Sequence, residues 1–412
     1  MQLFPSLLLL ISSSLFSQEL FVQEEEKNLY RSAVEYSFDE VLDNGSYTFL
    51  FEQINGIINI IGHVGSGTHL IIENRVHAFS NKNAISILKN SQINVYHDKI
   101  EKVIRIKKMS EKYDHKIIGK IDLHLPFNTN LRGTIKNSDL TISKVRGTIA
   151  INTESTDSDL NNLNGNINIT TRGGNISATE LSGEMELTVV SGDINIFDCN
   201  ANSMLTIDNG NIFINGLKGN LLSNTTLGET LVSNYEGESS VFNINVGNLK
   251  INKSKSNISA TIDIGSVNIN NIQGATTIFT GKGEINLNNI IGDVNCNTNF
   301  GNVNGINLFG KINANSEFGD IEINKGYNSF LKDHSIDIAT KRGSISVRLP
   351  SDLPYAINSQ CHNLETRNAI SSEIPLDEEF LSAKVVGQGK IKEGTISCNL
   401  SSNYGPISIF TN

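Results

Sequence analysis

The sequence predicts an all-β protein: a parallel β-solenoid (β-helix) with coils of about 18 residues, capped by irregular β segments at both ends. Three observations carry the prediction. Glycine returns every nine residues through the middle of the chain. Behind each glycine, aliphatic and polar residues alternate. Only 38% of the 412 residues are hydrophobic and 18% are charged. The first figure is low for one large core and the second is low for a disordered chain, so many narrow cores fit best.

The chain opens MQLFPSLLLLISSSLFSQELFVQEEE, with an apolar run over Leu7 to Ile11, small residues at Ser12 to Ser14 and a polar stretch from Gln18. That order reads as a secretory signal peptide over 1–17, though without a Lys or Arg before the apolar run. The run is too short to span a bilayer and no later stretch qualifies. An exported protein is expected, in the periplasm, on the outer surface or extracellular. Residues 18–45 are acidic and read as partly disordered. Residues 46–146 read as an N-terminal β region that caps the solenoid, with a short helix in AFSNKNAISILKN (Ala78 to Asn90). The regular repeats fill 147–326. Residues 327–412 read as a C-terminal β region and cap, with a charged loop over Glu373 to Lys390. Strand-plus-proline phrases at Leu125-Pro126 and Leu349-Pro350 bracket the array. Caps are required because open strand edges invite aggregation.

Within the array the nine-residue halves alternate in kind. SGDINI at Gly192, NGNIFI at Gly210, VGNLKI at Gly247, IGSVNI at Gly265, KGEINL at Gly283 and FGDIEI at Gly319 form one class. SGEMEL at Gly183, QGATTI at Gly274, IGDVNC at Gly292 and FGKINA at Gly310 form a looser one. One extra residue precedes Gly247. The unit is therefore twice nine, with two faces per coil. The second and fourth residues after glycine are aliphatic, as in Ile194/Ile196, Val267/Ile269 and Ile285/Leu287, while Asn195, Asn268 and Asn286 lie between. Period two marks a strand with one buried face. One half cannot bury its own aliphatic row, but stacked coils can. About ten coils at ~4.8 Å would make a rod of roughly 50 Å. Glycine turns the chain, aliphatics fill the interior, and asparagines face water or stack as ladders.

Chemistry-bearing residues are scattered. The net charge of −10 disfavours nucleic acid, and KVIRIKK (Lys102 to Lys108) reads as a strand with a solvated face. Cys199, Cys296, Cys361 and Cys398 include no CxxC pair, so zinc is not expected. Cys296 takes an inward position; Cys361 and Cys398 are the pair open to a disulfide. His63, His69 and His77 lack ligand spacing, and the neighbours His97/Asp98, Asp114/His115 and Asp333/His334 lack a serine on a nucleophile turn. TDSDLNNLNG places Asp157, Asp159 and Asn161 at alternate positions, but lacks the glycine and terminal glutamate of a calcium loop. Asp193, Asp293 and Asp320 follow turn glycines. Asp193 and Asp293 lie more than five coils apart, too far for a glycosidase pair. No catalytic, cofactor-binding or metal-ligating residue is assigned.

The phrases NGIINIIGHVGSGTHLIIEN, IDLHLPFNTNL, RGTIAI, SGDINI and LPSDLPYAINS, in that order over roughly residues 46–410, resemble the bacterial "putative adhesin" β-strand-repeat family. Its relatives include the autotransporter-adhesin head domain with Gly-Ile-Asn motifs. The resemblance implies an exported β-solenoid with an adhesive or envelope role and no catalytic residues to carry over. The expected function is a non-catalytic exported binding protein whose partners are glycans or another envelope or cell-surface protein. The alternatives are an envelope scaffold that self-associates end to end, and a carbohydrate-active β-helix enzyme.

Overall fold

The computed structural model describes residues 21–362 and 369–412. The expected signal peptide, 1–17, lies outside them. Among the described residues the chain is all-β apart from one α-helix and one turn of 3-10 helix. It divides into two compact units, one up to Met185 and one from Glu186.

The first unit contains β1 (Gln23–Glu26), β2 (Leu29–Phe38), β3 (Thr48–His63), β4 (Thr68–His77), α1 (Asn81–Asn90), β5 (Ile93–Asp98), β6 (Val103–Lys108), β7 (Ile117–Pro126), β8 (Asn130–Ser143) and β9 (Arg146–Asn161). From β8 onward, parallel neighbours stand 18 residues apart: Leu131 beside Ile149, and Ile149 beside Ile167. β3 lies against β8, with Ile58 beside Leu140, and its other edge takes β6 and β7. The layer outside β3 thus comes later in sequence than β3. Antiparallel strands complete this end: β5 on β6, β4 on β7, β2 on β4 and β1 on β2. In α1 the Ser80 hydroxyl accepts the Asn83 N–H (3.3 Å). Ala84, Ile87 and Leu88, at helical spacing, pack with Tyr30 and Val76. The solvated face expected of KVIRIKK is Arg105 and Lys107, both paired with Glu52.

The acidic segment expected to be partly disordered is a correction: it forms β1 and β2. Tyr30, Ser32 and Phe38 alternate inward and are buried. Opposite charges meet across the strands, with Glu25 2.9 Å from Arg75 and Arg31 2.5 Å from Glu73. Cross-strand opposite charges of this kind support pairing.

In the second unit each repeat contributes two ranks of parallel strands. The first rank runs Ile194, Ile212, Thr230, Leu249, Val267, Ile285, Val303, Ile321. The second runs Ser203, Leu221, Ser240, Ile258, Thr276, Val294, Ile312. All of these are buried. The extra residue before Gly247 is taken up as a bulge between Glu236 and Ser239. The step then widens to 24 residues at Ile312–Ile336 and Ile321–Ile345, because the connection Gly326–Ser335 is longer than its counterparts.

The C-terminal end repeats the rearrangement seen at β3. Ile396–Ser402 lies between Ile336–Arg342 and Tyr355–Cys361, parallel to both. Ile407–Thr411 likewise lies between Ile345–Leu349 and Ile370–Ser372. The last residues of the chain thus form an interior layer. The charged stretch expected as a loop over Glu373 to Lys390 is instead a hairpin, Leu376–Leu381 with Lys384–Lys390, laid antiparallel on Tyr355–Cys361. Its outer strand, LDEEFL, carries three acids on an exposed edge, which blocks further strand addition. The Cys361–Cys398 disulfide that the sequence leaves open does not form. Cys398 stands beside Ile357, and Cys361 is four residues further along, roughly 13 Å at ~3.3 Å per residue and beyond disulfide reach. All four cysteines are buried, and Cys361 and Cys398 are free thiols.

Candidate functional site

The site with most to offer a partner is the corner where the second rank turns into the first. Its construction begins with glycine. Gly265 and Gly283 have φ of +148° and +156°, and a Cβ on either would fall within 3.0 Å of the glycine carbonyl of the neighbouring repeat. Only glycine meets both demands. The turn leaves carbonyls pointing inward, and a buried hydroxyl three residues before the next glycine answers them. Ser316 Oγ donates to Gly301 O, Thr340 Oγ1 to Gly319 O and Ser402 Oγ to Gly343 O, each at 3.1 Å. Just after the glycine, a side-chain oxygen accepts the N–H of the residue one repeat later. Asn248 takes Ser266 (2.9 Å), Asn302 takes Asp320 (2.9 Å) and Asp320 takes Ser344 (2.7 Å). Six residues beyond the glycine, Asn271, Asn289 and Asn307 sit in the left-handed region at φ 58°, 57° and 55°, where asparagine is tolerated. The amide of Asn289 donates to Asn271 Oδ1 (2.8 Å).

The residue before each glycine points out. Pairing aligns these residues as one column: Leu227, Val246, Ile264, Lys282, Phe300, Phe318, Arg342. Tyr404, before Gly405, continues it, with the Arg342 guanidinium 5.7 Å from its ring. Phe300 and Phe318 stack at 4.9 Å and 6°, and Arg342 lies 5.5 Å over Phe318. The apolar members are exposed, from 38% at Phe318 to 65% at Tyr404. Large apolar side chains aligned on a folded surface, here interrupted by Lys282 and Arg342, mark an interaction site. The rings stack on one another, so their edges face water; a sugar that needs an open ring face finds one only at the end. Sequence reasoning missed this column. Its signal was the recurring aromatic or cation before glycine in KGEINL and FGDIEI, KRG and NYG.

The residues weighed for catalysis or metal binding are dispersed. Asp193 accepts Asn211 N–H (2.7 Å), Asp293 accepts Lys311 N–H (3.0 Å) and Asp157 accepts Asn175 N–H (2.7 Å). With Asp320 they cap the backbone of the next repeat. Asp293 serves the second rank and Asp320 the first, so the pair does not converge. Asp159 and Asn161 are exposed on strand β9. His69 contacts Glu35, the His63 ring contacts Val64 O, and His77 ends β4. Among the described residues, no three His, Cys, Asp or Glu side chains gather around a metal position. The His97 ring is packed 5.3 Å from Phe38 and 5.7 Å from Tyr47, and burial pushes its pKa down.

Cys296 is inward, as expected, and burial pushes its thiol up to about 12, as it does for Cys398. Neither is a thiolate at neutral pH. Lys325 occupies an interior column otherwise filled by Ile272, Ile290 and Leu308. It is 1% exposed, and its amine donates to Gly310 O. Burial lowers its pKa to about 7, against the opposing pull of Asp293 and Asp333.

No family model matches the chain, and no curated protein does. Among solved structures it is similar to a putative cell adhesion protein from Clostridium sporogenes, at 8% identity and TM-score 0.17, over 92% of this chain and 100% of that one. A putative adhesin from Parabacteroides merdae is matched at 11% identity and TM-score 0.21, over 77% and 95%. One from Bacteroides fragilis is matched at 13% and 0.20, over 76% and 95%. Likenesses at such TM-scores carry no weight in assigning a function.

Proposed function

We propose that each unit is a parallel β-solenoid of 18-residue coils, and that the protein is a non-catalytic, exported binding protein of the cell surface or envelope. The coil reading rests on the parallel step of 18 residues that recurs through both ranks. The observation that carries the functional reading is the exposed column from Leu227 to Tyr404. A folded chain keeps so many large apolar side chains aligned in water when a partner covers them. The carboxylates that an enzyme would need are engaged in holding successive repeats together.

Two measurements test the proposal. Protease treatment of intact cells, with lysed cells as control, reports whether the protein is exposed; protection until lysis restricts it to the inside of the envelope and removes adhesion. Labelled full-length protein is then applied to intact cells and to immobilised glycan and envelope-protein panels. Ile264→Asp, on the exposed column, is expected to abolish the binding with the fold retained. Equal binding by wild type and variant refutes the column as the binding surface.

A further inference from the structure

We infer that the occupant of the exposed column is a second copy of this chain, laid antiparallel against the first. This rests on the reading of the column as the binding surface and names its partner. The first argument is pitch. The column repeats at the spacing of hydrogen-bonded strands, ~4.8 Å, and Phe300 and Phe318 stand 4.9 Å apart. A surface that meets it side chain for side chain must share that pitch, and the same column on another copy does.

The second argument is charge. One end of the column carries Arg342, the neighbouring Lys341 being paired with Glu317, and the other is acidic, with Glu229 beside Leu227 and Asp263 beside Ile264. Centring the match between Lys282 and Phe300 places Arg342 of one copy opposite Val246 of the other, between Glu229 and Asp263. Lys282 then lays its aliphatic stem along the edge of Phe300, and Ile264 faces Phe318. A parallel match would instead set Arg342 on Arg342 and Lys282 on Lys282. Opposite charges brought together this way fix register and direction, and the symmetry is that of an isologous dimer. A lipid surface is disfavoured by the net charge of −10 and the acids flanking the column.

Eight side chains cover on the order of 500 Å² per copy, below the ~800 Å² of a standard interface and in the size class of weak, transient pairs. Antiparallel pairing of this weakness suits copies that face each other from two surfaces and gain strength by number.

The test is sedimentation velocity of the full-length protein across the micromolar range. A monomer–dimer equilibrium is expected, weakening as salt is raised. Ile264→Asp and Phe318→Asp, both at exposed positions and checked for unchanged circular dichroism, should each weaken the dimer at least ~10-fold. Arg342→Glu, and Glu229→Arg with Asp263→Arg, should each weaken it by about 10-fold, and the three changes together should restore it. A monomer at every concentration overturns the inference, as does a dimer indifferent to Ile264→Asp or a charge swap that fails to restore it. A monomer whose binding to cells still requires Ile264 overturns only the second copy and leaves the binding surface in place. Cell binding that ignores Ile264 removes the binding surface itself.

Discussion

Replacing Lys325 by methionine should stabilise the protein at neutral pH and change how its stability depends on pH. The lysine is 1% exposed in a column of Ile272, Ile290 and Leu308. Its amine titrates near 7 when folded and near its ordinary 10.5 when unfolded. As pH falls from 10.5, the unfolded chain takes up this proton first, so folding loses stability down to about 7, below which the loss is complete. At ~1.4 kcal/mol per pH unit the ceiling is about 5 kcal/mol. Methionine keeps the length without the charge, and it gives up the bond to Gly310 O, worth ~1 kcal/mol. Lys325→Met should therefore exceed wild type by about 3 kcal/mol at pH 7 and by little or nothing at pH 10. Denaturant unfolding followed by circular dichroism, with both proteins run at each pH, measures the gap. A difference that stays constant from pH 7 to 10 refutes the argument, because it would mean that the folded protein keeps the amine charged.

Other perturbations probe the repeat itself. Gly283→Ala puts a Cβ at φ +156° and against Gly265 O, and should cost at least ~2 kcal/mol by denaturant unfolding, against near zero for an exposed strand position such as Asn286. Asp320→Ala removes the acceptor for Ser344 N–H and Ser344 Oγ (2.7 and 2.8 Å), and should cost ~1 kcal/mol, with faster hydrogen exchange at Ser344. His97, whose pKa burial holds below the ordinary 6.5, makes the first unit less stable as pH falls below that value, since the unfolded chain protonates first. His97→Phe should flatten that loss in thermal melts between pH 7 and 5.

Much of the interior was legible because its signals are local. Glycine, then aliphatics at the second and fourth positions, needs no knowledge of what lies beside it. The inward position of Cys296 followed from the same count. The hydroxyl column of Thr280, Thr298, Ser316, Thr340 and Ser402 escaped notice, since serine and threonine before a glycine look like ordinary turn residues until the carbonyls they serve are seen. The exposed column escaped for another reason. Phe318 and Arg342 are neighbours across a 24-residue step, and Arg342 and Tyr404 across 62, so no fixed period joins them. Lys325 was unremarkable as a letter, because only the longer connection from Gly326 reveals that it ends a core column. The disulfide failed on register, which depends on where Ile396–Ser402 docks. The strands of the acidic segment depended on β4, which supplies both the partner strand and Arg75.

The docking of Ile396–Ser402 and Ile407–Thr411 inside the sheet has a consequence for assembly in time. A chain emerging N-terminus first offers Tyr355–Cys361 before its neighbour exists. That strand, with the hairpin on it, gains its parallel neighbour only once Ile396–Ser402 has been made. The molecule cannot close this end early, however fast the preceding repeats zip up. Removing Ile407–Thr411 would not trim an edge; it would leave a missing layer, with stranded hydrogen-bonding groups on both Ile345–Leu349 and Ile370–Ser372.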